Sequence, residues 1–174
     1  MTTSQTAPIP KLIVSPYQHV ADVLRENEID FVVSILGRRS DRLPWPDVGN
    51  RRVLRLEFDD VFHDSGKWKA PTADHVQALI DFAKLWHGST NALIHCRAGT
   101  SRSTAGAMVL VAAIGRIDLA SRVRWAKAYF QPHEGLLGLA DGLLGLKPGL
   151  IDLSRELLRP ERSDDWGPVA IPLN

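Results

Sequence analysis

The strongest constraint on the fold lies around the chain's single cysteine. A short apolar run, Asn91-Ala92-Leu93-Ile94, enters the segment His95-Cys96-Arg97-Ala98-Gly99-Thr100-Ser101-Arg102-Ser103, and a long apolar run, Thr104 to Ile114, leaves it. The first has the length of a strand, the second that of a buried helix. A strand passing through a tight loop into a helix makes an oxyanion cradle, because the loop and first-turn N–H groups have no intrahelical partner and can converge on one anion. A thiol at the bottom of such a cradle is expected to ionise readily, since the same donors and the helix dipole stabilise the thiolate.

A phosphate monoester fits this arrangement. The backbone of Arg97, Ala98, Gly99, Thr100 and Ser101 is expected to hold its non-bridging oxygens, and the guanidinium fork of Arg102 to grip two of them more tightly as charge shifts in the transition state. The Cys96 thiolate lies below the phosphorus, so in-line attack gives a phosphocysteine and divides one hard hydrolysis into two easier steps. The first step needs an acid for the leaving oxygen and the second a base for water. One carboxyl group serves both in turn.

The segment resembles the signature loop of the protein tyrosine phosphatase superfamily: His-Cys, five residues, Arg, then Ser or Thr. The match covers His95, Cys96, Gly99, Arg102 and Ser103. The ending Ser101-Arg102-Ser103 is more similar to the dual-specificity branch than to the tyrosine-specific one. The resemblance implies that Cys96 is the nucleophile, that Arg102 binds the phosphoryl group, that Ser103 helps the thiolate leave, and that His95 orients the loop. It also implies the superfamily's α/β fold, over roughly residues 11–158 in element order. Arsenate reductases use a similar loop with additional resolving thiols, which this chain lacks.

Two acidic places compete for the proton-donor role. Trp45-Pro46-Asp47 spells the acid-loop motif of the tyrosine-specific branch, and Asp59-Asp60 follows the alternating run Val53 to Phe58. In the family the acid loop follows a strand and is separated from the catalytic strand by one helix. From Asp60 the chain reads loop, helix (Thr72 to Trp86), strand, cysteine, whereas from Asp47 an extra strand intervenes. Asp60 continues the face of Leu54, Leu56 and Phe58, where a partly desolvated carboxyl has a raised pKa suited to proton donation. Asp60 is therefore the expected acid, with Asp59 as first alternative and Asp64 and Asp47 behind it.

At 174 residues the chain is long enough for one domain with a real core, expected over residues 11–158 between tails 1–10 and 159–174. The net charge of +1 gives no basic field that would suggest nucleic acid as a partner. A single cysteine excludes an internal disulfide and leaves no second thiol to protect an oxidised Cys96, so easy inactivation by peroxide is expected. Met1 to Pro10 lacks the apolar core of a signal peptide, and no run has the length of a membrane span. A cytoplasmic location is the default expectation and suits a catalytic thiol. The six histidines show no metal-ligand spacing, so no metal or cofactor is expected. The expected partner is a phosphorylated protein or a small phosphomonoester.

Strands are expected at Lys11–Ser15, Asp30–Leu36 and Val53–Phe58, with helices at Tyr17–Asn27, Thr72–Trp86, Leu119–Tyr129, Leu136–Leu144 and Leu150–Leu158. Strands alternating with helices imply an α/β sandwich, with a short, mostly parallel sheet, helices on both faces and a helical cluster at the C-terminal end. The tail from Arg159 reads as charged and loosely held. Several further residues carry weaker signals. His63, Lys67, Trp68 and Lys69 lie in the loop Val61–Pro71, which could cover the site. Arg38 and Arg39 follow a strand C-terminus, where ligand-facing loops gather. Trp45 reads as a cleft wall or as a plug over the sheet edge, Arg97 as pointing outward, and His75 and His87 as surface residues. Family relatives often carry an Asn after the proline beyond the loop helices; here Gln131-Pro132-His133-Glu134 departs from that, and no role is carried over.

Overall fold

The computed structural model describes residues 8–156 and 165–174. β1 (Lys11–Pro16), β2 (Phe31–Leu36), β3 (Arg52–Glu57), β4 (Ala92–Cys96) and β5 (Val169–Pro172) form one sheet in the order β3-β2-β4-β1-β5. The first four are parallel, and β5 lies antiparallel on β1. Between and after them come a single 3-10 turn (Tyr17–His19) and the helices α1 (Val20–Glu26), α2 (Ala73–Trp86), α3 (Arg102–Ala113), α4 (Asp118–Trp125), α5 (Glu134–Leu144) and α6 (Leu150–Ser154).

The period of two along the strands divides the interior into two cores. Leu12, Val14, Phe31, Val33, Ile35, Ala92 and Ile94 face the large helical layer of α2 to α6. Their neighbours Ile13, Val32 and Leu93 face Val20, Val23 and Leu24 of α1 on the opposite side. β2 and β4 are buried on both faces, as their unbroken apolar runs require. α3 is buried from Arg102 to Ala112. It lies close against the sheet because Gly106 has no side chain: a Cβ there would meet Ile94 Cδ1 at 2.7 Å. This close contact fixes the N-terminus of α3 over the C-terminal end of β4. The C-terminal ends of β1, β2 and β3 open at the same edge, so four loops converge there.

The expected sandwich is present, with shifted boundaries. α4 begins at Asp118, one residue before the expected start, and ends at Trp125 instead of Tyr129. Asp118 pairs with Arg116. α6 stops at Ser154. The expectation of a loose tail from Arg159 fails for its last residues, because Val169–Pro172 pair with β1 and bury Ile171 and Leu173. Pro172 is tolerated because β5 is an edge strand. The remainder of the expected tails, 1–7 and 157–164, lies outside the described residues.

Candidate active site

Cys96 ends β4 and Arg102 begins α3, with the loop 97–101 between them. Three carbonyls of this loop turn away from its centre. Arg97 O accepts from Tyr17 N at 3.1 Å, Thr100 O from Gln131 N at 2.9 Å, and Ser101 O from both Ala105 N and His133 N. Each peptide is planar and trans, so an outward carbonyl sends the next N–H inward. The N–H groups of Ala98, Ser101 and Arg102 thus face the cradle. Gly99 N–H donates to Cys96 Sγ at 3.2 Å, and Ser103 Oγ lies 3.2 Å from the same sulfur. The sulfur is buried beside the large core, and these two groups are its polar neighbours. Gly99 has φ +72°, and a Cβ there would lie 2.6 Å from Pro16 N, so the backbones of loop and β1 can approach only at glycine.

Arg102 is held from behind. Its Nη1 donates to Asp41 Oδ2 at 2.8 Å and to Phe58 O at 3.1 Å, and Nη2 donates to Asp41 Oδ1 at 3.2 Å. The end of the guanidinium is consumed, while Nε, also buried, has no partner among the described residues. Burial disfavours the charged guanidinium, but the Asp41 hydrogen bonds and the charges of Cys96, Asp41 and Asp60 outweigh it, and the pKa of Arg102 is raised. Asp41 had no distinguishing sequence signal. It is one of several loop aspartates, and only the fold brings it under Arg102.

The two adjacent aspartates differ in environment, and in the opposite sense to the alternation expected along β3. Asp59 is 3% exposed, whereas the Asp60 side chain is 44% exposed. β3 ends at Glu57, and Asp59 N–H then donates to Lys69 O at 2.7 Å, so the turning chain no longer keeps strand register. The Asp59 carboxylate is fully engaged, accepting from Ser40 N at 3.1 Å and Lys69 N at 2.8 Å. Burial pushes its pKa up, but the hydrogen bonds from Lys69 and Ser40 and the charge of Arg102 more than offset this, and the net shift is downward. Asp60 instead stands at the cradle rim, where Oδ1 accepts from Ser101 Oγ at 2.7 Å. The other two candidates cap turns: Asp64 accepts from Ala70 N and Asp47 from Gly49 N.

His95 is fully buried and its Nε2 lies 2.7 Å from Ser34 Oγ on β2. Burial, with the charge of Arg102 added, lowers its pKa to about 4, so the ring is neutral at pH 7. Arg97 turns outward but is not free, since Nη1 donates to Asp41 O at 3.2 Å. Arg39 ties the same 37–41 turn to the loop that follows β3 through Gly66 O. Arg38, Lys67, Trp68 and Lys69 line a cavity of about 320 Å³ beside Phe58 and Asp59. Trp45 packs under the Arg55 guanidinium at 5.9 Å. His75 differs from expectation: it closes a capping box with Thr72 and packs on Phe58 at 5.0 Å between ring centroids. His133 is 3% exposed and lies against the loop that follows β3. Sequence spacing could not have paired it with Asp60. Among the described residues no cluster of three or more His, Cys, Asp or Glu could hold a metal ion, and no helix is long and apolar enough to cross a membrane.

No family model matches the chain, and no curated protein matches it in sequence. Solved structures do. DUSP15 superimposes with a TM-score of 0.60 at 22% identity, covering 86% of this chain and 92% of that one. The human tyrosine phosphatase-like serine/threonine/tyrosine-interacting protein gives 0.59 at 18% identity, covering 79% and 93%. Human DUSP28 gives 0.52 at 15% identity, covering 77% and 91%. This chain therefore has the protein tyrosine phosphatase fold in the form that the dual specificity phosphatases share.

Proposed function

We propose that this protein is a cysteine-dependent phosphatase that hydrolyses phosphotyrosine, and related phosphomonoesters, through a phosphocysteine intermediate. The observation that carries this reading is the setting of the Cys96 sulfur, between Gly99 N–H and Ser103 Oγ with the unpartnered Nε of Arg102 nearby in the same buried site. A phosphoryl group entering the cradle meets the inward N–H groups of the 97–102 loop and the unpartnered Nε of Arg102. Cys96 forms the P–S bond as the P–O bond to the leaving group breaks. Asp60 gives its proton to that leaving oxygen and then takes one from the water that cleaves the P–S bond. Ser103 Oγ–H donates to the departing thiolate in the second step. Every step uses this chain's own side chains.

The test is turnover of a phosphotyrosine peptide, a phosphoserine peptide and a soluble phosphoinositide in parallel, with and without a chelator. The expected result is hydrolysis of the phosphotyrosine peptide, undiminished by chelator. Failure to hydrolyse any of the three while binding the phosphopeptide tightly would make the protein a phosphate-binding module instead.

A further inference from the structure

Three consecutive residues of the acid loop touch one buried side chain. His133 Nδ1 accepts from Leu136 N–H at 3.2 Å, so this nitrogen is unprotonated and Nε2 carries the proton. Nε2–H then donates to Val61 O at 3.0 Å. The same nitrogen lies 3.8 Å from Asp60 Oδ1, beyond hydrogen-bond reach. The Phe62 ring covers the imidazole at 4.9 Å between centroids and 30° between planes. Phe62 is itself 62% exposed. On its other side, the His133 main-chain N–H donates to Ser101 O, in the loop that carries the nucleophile. His133 thus spans from the phosphate cradle to the segment bearing the proposed acid, through its backbone at one end and its ring at the other.

We infer that His133 is a positioning residue that docks Asp60–Phe62 onto the cradle, setting the height at which Asp60 meets the leaving oxygen. This rests on the phosphatase reading above and adds to it a residue that touches no substrate. The ring does two separable things. Nδ1 caps α5, as an Asn side chain could also do. Nε2 reaches Val61, which an Asn in the same place is too short to do. Gln has that reach but is a poorer cap.

The test uses two aryl esters that differ in their need for a donated proton. Nitrophenolate leaves 4-nitrophenyl phosphate without help, whereas the phenolate of phenyl phosphate needs an acid in place. In His133→Asn, kcat/KM for phenyl phosphate should fall by about 10- to 100-fold. For 4-nitrophenyl phosphate it should change by no more than about threefold. The melting temperature should stay close to wild type. His133→Gln should recover most of the phenyl phosphate activity while melting lower. Equal losses on both esters, or none on either, in an active protein would overturn the inference alone. A wild-type protein that hydrolyses neither ester would overturn the phosphatase reading and this inference with it.

Discussion

The two sides of the site are built differently. The proposed nucleophile side is one run of nine residues, His95 to Ser103, in which a strand enters a helix through a five-residue loop whose carbonyls are also held by Tyr17, Gln131 and His133. The acid side has no such continuity. Asp60 reaches Ser101 across 41 positions of sequence, Asp41 reaches Arg102 across 61, and His133 reaches Val61 across 72. The nucleophile side is also deep, with Cys96 and Ser103 buried, while Asp60 is nearly half exposed. A contiguous motif can be read along the chain even where distant N–H groups pin its carbonyls; a carboxyl on an exposed loop is placed only by the contacts that hold that loop. Substitutions on the first side should remove chemistry outright. Those on the second should grade it according to how much of the support they remove.

The largest effect tests the first half of that contrast. Cys96→Ser should abolish turnover while inorganic phosphate still binds in a calorimetric titration, because the backbone donors and Arg102 are untouched. Loss of phosphate binding would mean that the sulfur organises the cradle instead of merely sitting in it. Next, Asp60→Asn should slow hydrolysis of phenyl phosphate by about 10²–10⁴-fold. Asp59→Asn should chiefly lower stability and slow both aryl esters alike, since its carboxylate caps Ser40 and Lys69. The reverse outcome would assign the acid to Asp59.

Asp41→Asn addresses the support of Arg102. The two side chains are 2% and 4% exposed, so removing one charge leaves the other buried without its counterpart. A loss of about 3–5 kcal/mol is expected in urea unfolding. A loss below about 1 kcal/mol, typical of surface pairs, would mean that the guanidinium finds water instead.

The smallest expected effect is a pH dependence. His95 has a folded pKa of about 4 against 6.5 for the free side chain. Between these values the unfolded chain binds the proton and the native one does not. The stabilisation is therefore complete above about pH 6.5 and is lost as pH falls toward 4, by roughly 3 kcal/mol. In His95→Asn the unfolding free energy should decline less over that window. An equal decline in both proteins would show that carboxylates such as Asp59 dominate the acid limb.

What was legible from residues follows the same division. The strand, loop and helix around Cys96 were legible from their apolar runs, and the layering of the sheet from strands alternating with helices; the structure divides Val32-Val33 and Leu93-Ile94 between the two cores. Asp60 was selected over Asp47 by element order, but the burial argued for it was wrong. That argument extended strand alternation past Glu57, where pairing with Lys69 had already turned the chain. His75 read as surface and proved to be half of a capping box against Phe58. The terminal segment read as a loose tail, yet Val169–Pro172 found an open edge on β1 that only the assembled sheet offers.

By itself the sequence determined a short loop between a strand and a buried helix, since each of those two elements is marked by its own apolar run. The tertiary structure decided which carboxylate clamps Arg102, which aspartate is exposed at the rim, and which histidine bonds the residue after it. Those choices are contacts between segments far apart in sequence, selected by how parallel strand ends gather at one edge. An aspartate or histidine in a loop carries no local mark of the partner the fold will bring to it.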